Sequence, residues 1–292
     1  MKKPIAESEL IVNPDGSIYH LKLKPENIAD DIIVVGDPGR VQTISDRFDS
    51  VEFRQANREI HTHTGYIGKK RLTVLSTGMG TDNLDIVINE LDAVCNIDLN
   101  TRTPKDDHRS LNIYRLGTSG ALQKDIPVDS FLASSHGVGI DGLMWFYEHV
   151  NQVIDKDITE AFLTDTNWPS DLPKAYVVEA SSKLINTVGK DYMKGITATA
   201  PGFFGPQGRV LRLPLNFPDL NQRISSFKFN EHRVTNFEME TSALYGLSKA
   251  LGHHAMTVCA IIANRERGEY SKDYKLSVSK LIDSLLSNVS SS

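Results

Sequence analysis

The chain has 292 residues, enough for one large α/β domain or two small ones. Hydrophobic residues make up 40% and charged residues 24%, the balance of a water-soluble globular protein, and no apolar run approaches the roughly 20 residues that span a bilayer. A formal net charge of −5 argues against a broad nucleic-acid footprint, and with only Cys95 and Cys259 a disulfide framework or cysteine metal cluster is not expected.

In chain order, residues 1–18 read as an N-terminal extension. Two lysines near its start have no apolar stretch behind them, so no secretory signal is expected and a reducing cytoplasm is the expected location. Residues 32–35 predict a buried strand that runs into Gly-Asp-Pro-Gly-Arg at 36–40, then a helix with Val41 and Ile44 inward. Residues 72–75 predict another strand, ending in Ser-Thr-Gly-Met-Gly at 76–80. The clearest helix follows: Leu84, Val87, Ile88, Leu91, Val94 and Cys95 recur at helical spacing, with Thr81 or Asp82 as its N-cap. The polar stretch 96–112 reads as a surface insertion. Residues 113–116 predict a strand leading into Gly-Thr-Ser-Gly at 117–120, and residues 130–134 a further short strand. Met239, Ala243, Leu244, Leu247 and Leu251 mark a helix closing at Gly252. Residues 255–263 form a nearly continuous apolar strand, 273–286 an amphipathic helix, and the serine-rich 287–292 a disordered tail. Strands apolar on both faces, alternating with helices, indicate a sheet covered on both sides. The expected fold is α/β: a single-domain, three-layer α/β/α arrangement with a mixed, partly barrel-like central sheet flanked by helices.

In such a fold ligands bind beyond the carboxyl ends of the strands. Three glycine turns are expected there, at 36–40, 76–80 and 117–120, and two have an arginine alongside, Arg40 and Arg115. Backbone N–H groups and a guanidinium fork suit phosphate oxygens, but tight connections with surface arginines would read the same way. No turn closes with Gly-Lys-Ser/Thr, so a Walker-type nucleotide loop is not supported. Gly-Val-Gly-Ile-Asp-Gly at 137–142 fits a dinucleotide pattern, yet bulky side chains follow it, which argues against that use. His61 and His63 alternate as on a strand face but lack a third ligand, so a structural role is expected. His253 and His254 are expected to cap or solvate a helix end. Glu238 and Glu240 flank a helix start, where carboxylates act as dipole partners or as ligands for sugar hydroxyls; both readings stay open on pattern alone.

GDPGR at 36–40, NRE at 57–59, STGMG at 76–80, RLGTSG at 115–120, FEMETS at 237–242 and NR at 264–265 together resemble the purine nucleoside and uridine phosphorylase superfamily in order and spacing. The likeness covers roughly residues 19–285. It implies phosphate contacts at Gly36, Arg40, Arg115 and Thr118, with Arg58 reaching a neighbouring subunit's phosphate site. It implies ribose contacts at Met239 and Glu240 with Glu238 beside them, and His20 lent across a dimer interface to the 5′-hydroxyl end. FFGPQGR at 203–209 resembles the uridine-type specificity segment: Gln207 and Arg209 would read uracil, Phe203 would stack on it and Arg265 would close the pocket. Asn264 stands where purine-specific members carry an aspartate.

The implied activity is phosphorolysis of uridine or other pyrimidine nucleosides, with Arg209, Gln207 and Arg115 carrying the chemistry. Phosphate is then a co-substrate and no cofactor is required. The resemblance also implies a homohexamer built from dimers; from the net charge and the lack of a spanning apolar run, no nucleic-acid or membrane partner is expected. A potassium ion near Glu59 occurs in such proteins, but Asn83 replaces a serine of that site.

Overall fold

The computed structural model describes residues 3–292. In chain order its first half holds β1 (Asp31–Val35), α1 (Pro38–Ser45), β2 (Ser50–Asn57), β3 (Ile60–Ile67), β4 (Lys70–Ser76), α2 (Thr81–Asn96), β5 (Ile97–Asp98), β6 (Thr103–Pro104), β7 (Asn112–Ala121) and β8 (Phe131–Gly139). The second half holds α3 (Val150–Val153), α4 (Lys156–Asp165), β9 (Tyr176–Glu179), α5 (Ser182–Ile185), β10 (Met193–Thr199) and α6 (Leu220–Ser226). It continues with β11 (Lys228–Phe229), β12 (His232–Glu238), α7 (Thr241–Ala250), β13 (His254–Asn264), β14 (Glu269–Tyr270) and α8 (Tyr274–Ser290).

One large sheet runs in the order β11-β12-β10-β8-β13-β7-β1-β4-β3-β2. β1 lies parallel to both β4 and β7, and every one of its residues is buried, as its unbroken apolar run requires. β2, at the edge, alternates between exposed and half-buried positions. Beyond β7 the sheet curls on itself. β7 pairs with β13, β13 with β8, β8 with β10 and β10 with β12. β12 then pairs antiparallel with β7 through Asn236–Ala121 and Phe237–Gly120, closing a five-stranded barrel. The expected mixed, partly barrel-like sheet is thus present, and its closure brings the ends of β7, β10, β12 and β13 together.

Helices cover this sheet with their apolar faces. α2 buries Leu84, Val87, Ile88 and Leu91, and packs against α7, which lies across β8 and β13. α8 runs along β13 and buries Leu281, Ile282 and Leu285. Among the described residues, no helix is long and apolar enough to cross a membrane.

Several expectations need correction. Residues 117–120 are not a turn: they continue β7, because Gly117 through Ala121 stay paired with β13. The Gly-x-Gly-x-x-Gly run, not expected to hold a dinucleotide, forms no strand-to-helix turn, since Gly137 and Gly139 lie inside β8. The N-cap of α2 is Gly80, at φ +97, a conformation that Thr81 or Asp82 would adopt poorly. The tail expected to be disordered is helical through Ser290, and it is anchored by the fully buried Val289. In the 96–112 stretch residues 100–101, 104–108 and 110 are exposed, but Asn96, Leu99 and Leu111 are buried and a small β5–β6 hairpin stiffens it. Within the N-terminal extension, Leu10 and Ile18 reach the core; residues 1 and 2 lie outside the described part.

Candidate active site

A cavity of about 820 Å³ opens at the mouth of the barrel, a size that suits a small organic ligand. Gly36, Arg40, Arg115, Thr118, Phe203, Gln207, Arg209, Glu238, Met239, Glu240 and Arg265 all line it. These residues come from the β1–α1 connection and the start of α1, β7, the loop after β10, the β12–α7 junction and the end of β13. The sequence reading therefore converges on one place.

At the floor lies a buried ionic cluster. Arg115, on β7, pairs with Glu240 through Nη2 and with Glu238 through Nη1, the latter at 3.1 Å. Burial works against the Arg115 charge, but Glu240 and then Glu238 outweigh it and hold the guanidinium protonated. The two carboxylates have different tasks. Glu238 accepts from the Thr199 hydroxyl (2.7 Å), from the backbone N–H of Glu240 (2.9 Å) and from the N–H of Thr241. With Arg115 added, its acceptor positions are filled, about four being available on a carboxylate. Glu238 thus caps α7 and fixes Arg115, so the expectation that it contacts a ribose alongside Glu240 does not match its geometry. Glu240 accepts from Gly80 N–H (2.9 Å) on one oxygen and from Arg115 and Met239 N–H on the other. Glu240 itself is among the residues that line the cavity. Burial, then the charge of Glu238, push the Glu240 carboxyl upward while Arg115 pulls it down.

Gly36 follows β1, and Arg40 sits in the first turn of α1, which Asp37 caps by accepting the Gly39 N–H at 2.9 Å. Burial lowers the Arg40 pKa and Asp37 offsets part of that shift; the group stays cationic. Its Nη1 reaches the Leu116 carbonyl at 3.4 Å, which turns it towards β7 and Thr118. Met79 and Tyr270, 75% and 60% exposed, form part of the rim.

Across the cavity, the 203–209 loop is organised by its own side chains. Arg209 Nη1 donates to the Phe203 carbonyl and to Gln207 Oε1, both at 2.6 Å, and its guanidinium lies 3.8 Å above the Phe203 ring. One face of Phe203 is therefore taken, which leaves the other for any stacking partner. Arg265 holds the Gln207 carbonyl, which Asn221 also contacts at 2.6 Å. Neither Arg209 nor Arg265 has a carboxylate ion-pair partner among the described residues, so the end of the cavity is positive. Asn264 is buried and fully engaged: Nδ2 donates to the Gln123 and Ile126 carbonyls and Oδ1 accepts Arg267 N–H.

His20 and Arg58 are not brought into this cavity. His20 Nδ1 lies 2.6 Å from Glu90 of α2, and Arg58 sits exposed at the β2–β3 turn with φ +55. Glu59 lines the rim, with the Asn83 side chain beside it at Gly78.

Two histidine clusters elsewhere have other roles. His63 Nδ1 meets the Ser45 hydroxyl at 2.7 Å, and His61 is held through its backbone by Ser76. His253, expected at a solvated helix end, is buried; Asp92 and His108 lie beside it within metal-ligand spacing. Its Nδ1 accepts Leu111 N–H at 3.2 Å, which puts the ring proton on Nε2, 3.3 Å from Asp92. That tautomer offers a metal no lone pair. The two cysteines are inert thiols, both pushed up to about 11 by burial.

The sequence pattern did not single out Thr199 or Tyr270. Thr199 meets Glu238 only because β10 pairs with β12, which no local pattern records.

Comparison with known proteins matches residues 30–287 to a family model described as the phosphorylase superfamily. A uridine phosphorylase of Thermococcus kodakarensis is 31% identical over 280 residues, covering 93% of this chain and 86% of that protein. A uridine phosphorylase of Haemophilus influenzae is 28% identical over 86% of this chain and 88% of its own length. A DeoD-type purine nucleoside phosphorylase of Alkaliphilus metalliredigens reaches 27%, over 83% and 85%. Among solved structures, a Trypanosoma brucei nucleoside phosphorylase described as showing uridine phosphorylase activity superposes with a TM-score of 0.84 at 30% identity, covering 97% of this chain and 100% of that one.

Proposed function

The chain belongs to the phosphorylase superfamily, and from that premise we propose that it cleaves uridine with inorganic phosphate, giving uracil and ribose 1-phosphate. The observation that carries the reading is the Gln207–Arg209 pair, locked together at 2.6 Å on the wall facing Arg40 and Arg115. Because Gln207 Oε1 faces Arg209, the amide orientation is set and its nitrogen is left to donate to a base oxygen. Arg209 supplies the second, charged donor.

Phosphate held by Arg40, Arg115, Thr118 and the Gly36 turn attacks C1′ from the face opposite the base. The Glu240 carboxylate takes a ribose hydroxyl, and Met239 packs on the sugar. As the glycosidic bond stretches, positive charge grows on the ribose and negative charge on the base. Phosphate stabilises the first; Arg209 and Gln207 stabilise the second, more strongly in the transition state than in the substrate. Neither a side-chain nucleophile nor a redox cofactor takes part, and phosphate is the co-substrate.

His20 and Arg58 lie away from their own chain's cavity, which supports an assembly in which each completes a neighbour's site. A homohexamer built from dimers in the cytoplasm fits this reading, as do the apolar Phe204, Val210, Leu211 and Leu213, each at least half exposed beside the cavity. The test is uridine cleavage followed by ultraviolet absorbance with and without phosphate. Cleavage only with phosphate is expected. Equal cleavage without it would make the protein a nucleosidase, and cleavage of purine nucleosides alone would remove the role given to Gln207 and Arg209.

A further inference from the structure

We infer that Thr199 is a positioning residue for the phosphate arginine, acting through Glu238; the inference rests on the proposed function and deepens it. Thr199 is the last residue of β10 and is fully buried. β10 lies parallel to β12, with Thr199 opposite Glu238. Its hydroxyl donates to Glu238 Oε1 at 2.7 Å and accepts the Ser242 N–H at 2.9 Å.

This one hydroxyl links the Glu238 carboxylate to the first turn of α7. It supplies the side-chain hydrogen bond to the oxygen of Glu238 that does not face Arg115, and it satisfies an N–H in the first turn of α7. With Oε1 held by Thr199 and Thr241 N–H, the carboxylate cannot rotate, and Oε2 stays aimed at Arg115 Nη1, 3.1 Å away. Arg115 is then pinned on two sides, by Glu238 and Glu240. Without Thr199, Glu238 would be free to turn towards the helix N–H groups alone, and the guanidinium would lose one of its two fixed partners.

The start of α7 has a second anchor that does not pass through Thr199. The Ser242 hydroxyl donates to Asp141 at 2.9 Å, and Tyr176 donates to the same carboxylate. Loss of the Thr199 hydroxyl should therefore disturb Glu238 and Arg115 more than the helix itself. Position in the chain adds to the argument: the loop that carries Phe203, Gln207 and Arg209 starts directly after Thr199, so one residue ties the end of the base-reading loop to the anion-binding arginine.

The discriminating variants are Thr199→Val, which keeps the shape and removes the hydroxyl, and Thr199→Ser, which restores it. Removing one of the two hydrogen bonds to Glu238 Oε1 and leaving the buried Ser242 N–H unpaired is expected to raise the phosphate KM roughly tenfold or more in T199V. The uridine KM should stay within about threefold of wild type, and T199S should recover most of the loss. A merely structural defect would instead lower the melting temperature and affect both substrates alike. A phosphate KM unchanged in T199V, with wild type active, would overturn the inference and leave the proposed function standing. If wild type cleaves no nucleoside, the proposed function fails, and crystal structures of wild type and T199V still decide the positioning role. A Glu238–Arg115 pair that stays in place in T199V overturns it; a displaced pair upholds it.

Discussion

The guanidinium of Arg115 folds back across Gly117, two residues further along β7. A Cβ on Gly117 would overlap one guanidinium nitrogen, and would lie 2.9 Å from the central carbon and 3.0 Å from Cys259 Sγ. Gly117→Ala is therefore expected to push Arg115 off its two carboxylates. Overpacking of this kind costs about 1–3 kcal/mol, and the phosphate KM should rise roughly tenfold or more. Phosphate titration of the variant checks this; unchanged saturation would mean that Arg115 does not hold the anion.

Arg209→Ala tests charge stabilisation on the departing base. Loss of one charge-assisted contact worth about 2–4 kcal/mol would cost roughly 30- to 1000-fold. The loss should appear in kcat at least as strongly as in KM, because the contact strengthens as charge develops. If steady-state kinetics show a raised KM with kcat intact, Arg209 supplies uniform binding and leaving-group activation lies elsewhere.

Glu240→Gln keeps the size of the side chain and removes its charge. The carboxylate accepts from Gly80 N–H, Arg115 and Met239 N–H, so an amide nitrogen placed there would face donors. A drop in kcat/KM of about 100-fold is expected. Activity within threefold of wild type would show that Glu240 is not where the sugar binds.

Assembly can be tested by complementation. Arg58→Ala alters a residue remote from its own cavity, whereas Arg209→Ala alters one within it. Each variant alone should be nearly inactive. Co-refolded subunits should recover about a quarter of wild-type activity, because half of a random population is heterodimeric and each heterodimer has one intact site. No recovery would argue that Arg58 serves its own chain.

His136 predicts a pH dependence of stability. Burial, then the neighbouring His232, lower its pKa to about 4, against about 6.5 in an unfolded chain. The native state therefore binds fewer protons than the unfolded state between those values. Stability from this group is full above about pH 6.5 and falls as the pH drops towards 4. Between pH 7.5 and 5 the loss should be about 2 kcal/mol. Urea unfolding of wild type and His136→Gln at the two pH values measures it; equal losses in both proteins would assign the effect to other groups.

Local signals revealed much of this protein. The apolar run of β1, the helical spacing of α2 and the length of β13 follow from burial periodicity, which depends only on neighbours in the chain. Arg40 and Arg115 stood out beside glycine turns as anion ligands, with tight connections as the open alternative; the family resemblance implied the roles of Gln207, Arg209 and Glu240. Other features were hidden from sequence. Gly117 to Gly120 looked like a turn because glycine usually marks one; here Gly117 makes room for the folded-back Arg115.

The alternation of strands and helices was thus determined by the sequence itself, since composition and period act within a few residues. The division of labour between Glu238 and Glu240 was decided only by tertiary structure. Two glutamates one residue apart are equivalent as pattern. Barrel closure sets Thr199 and the start of α7 around the first, filling its acceptor positions, while the second accepts from Gly80 N–H, Arg115 and Met239 N–H.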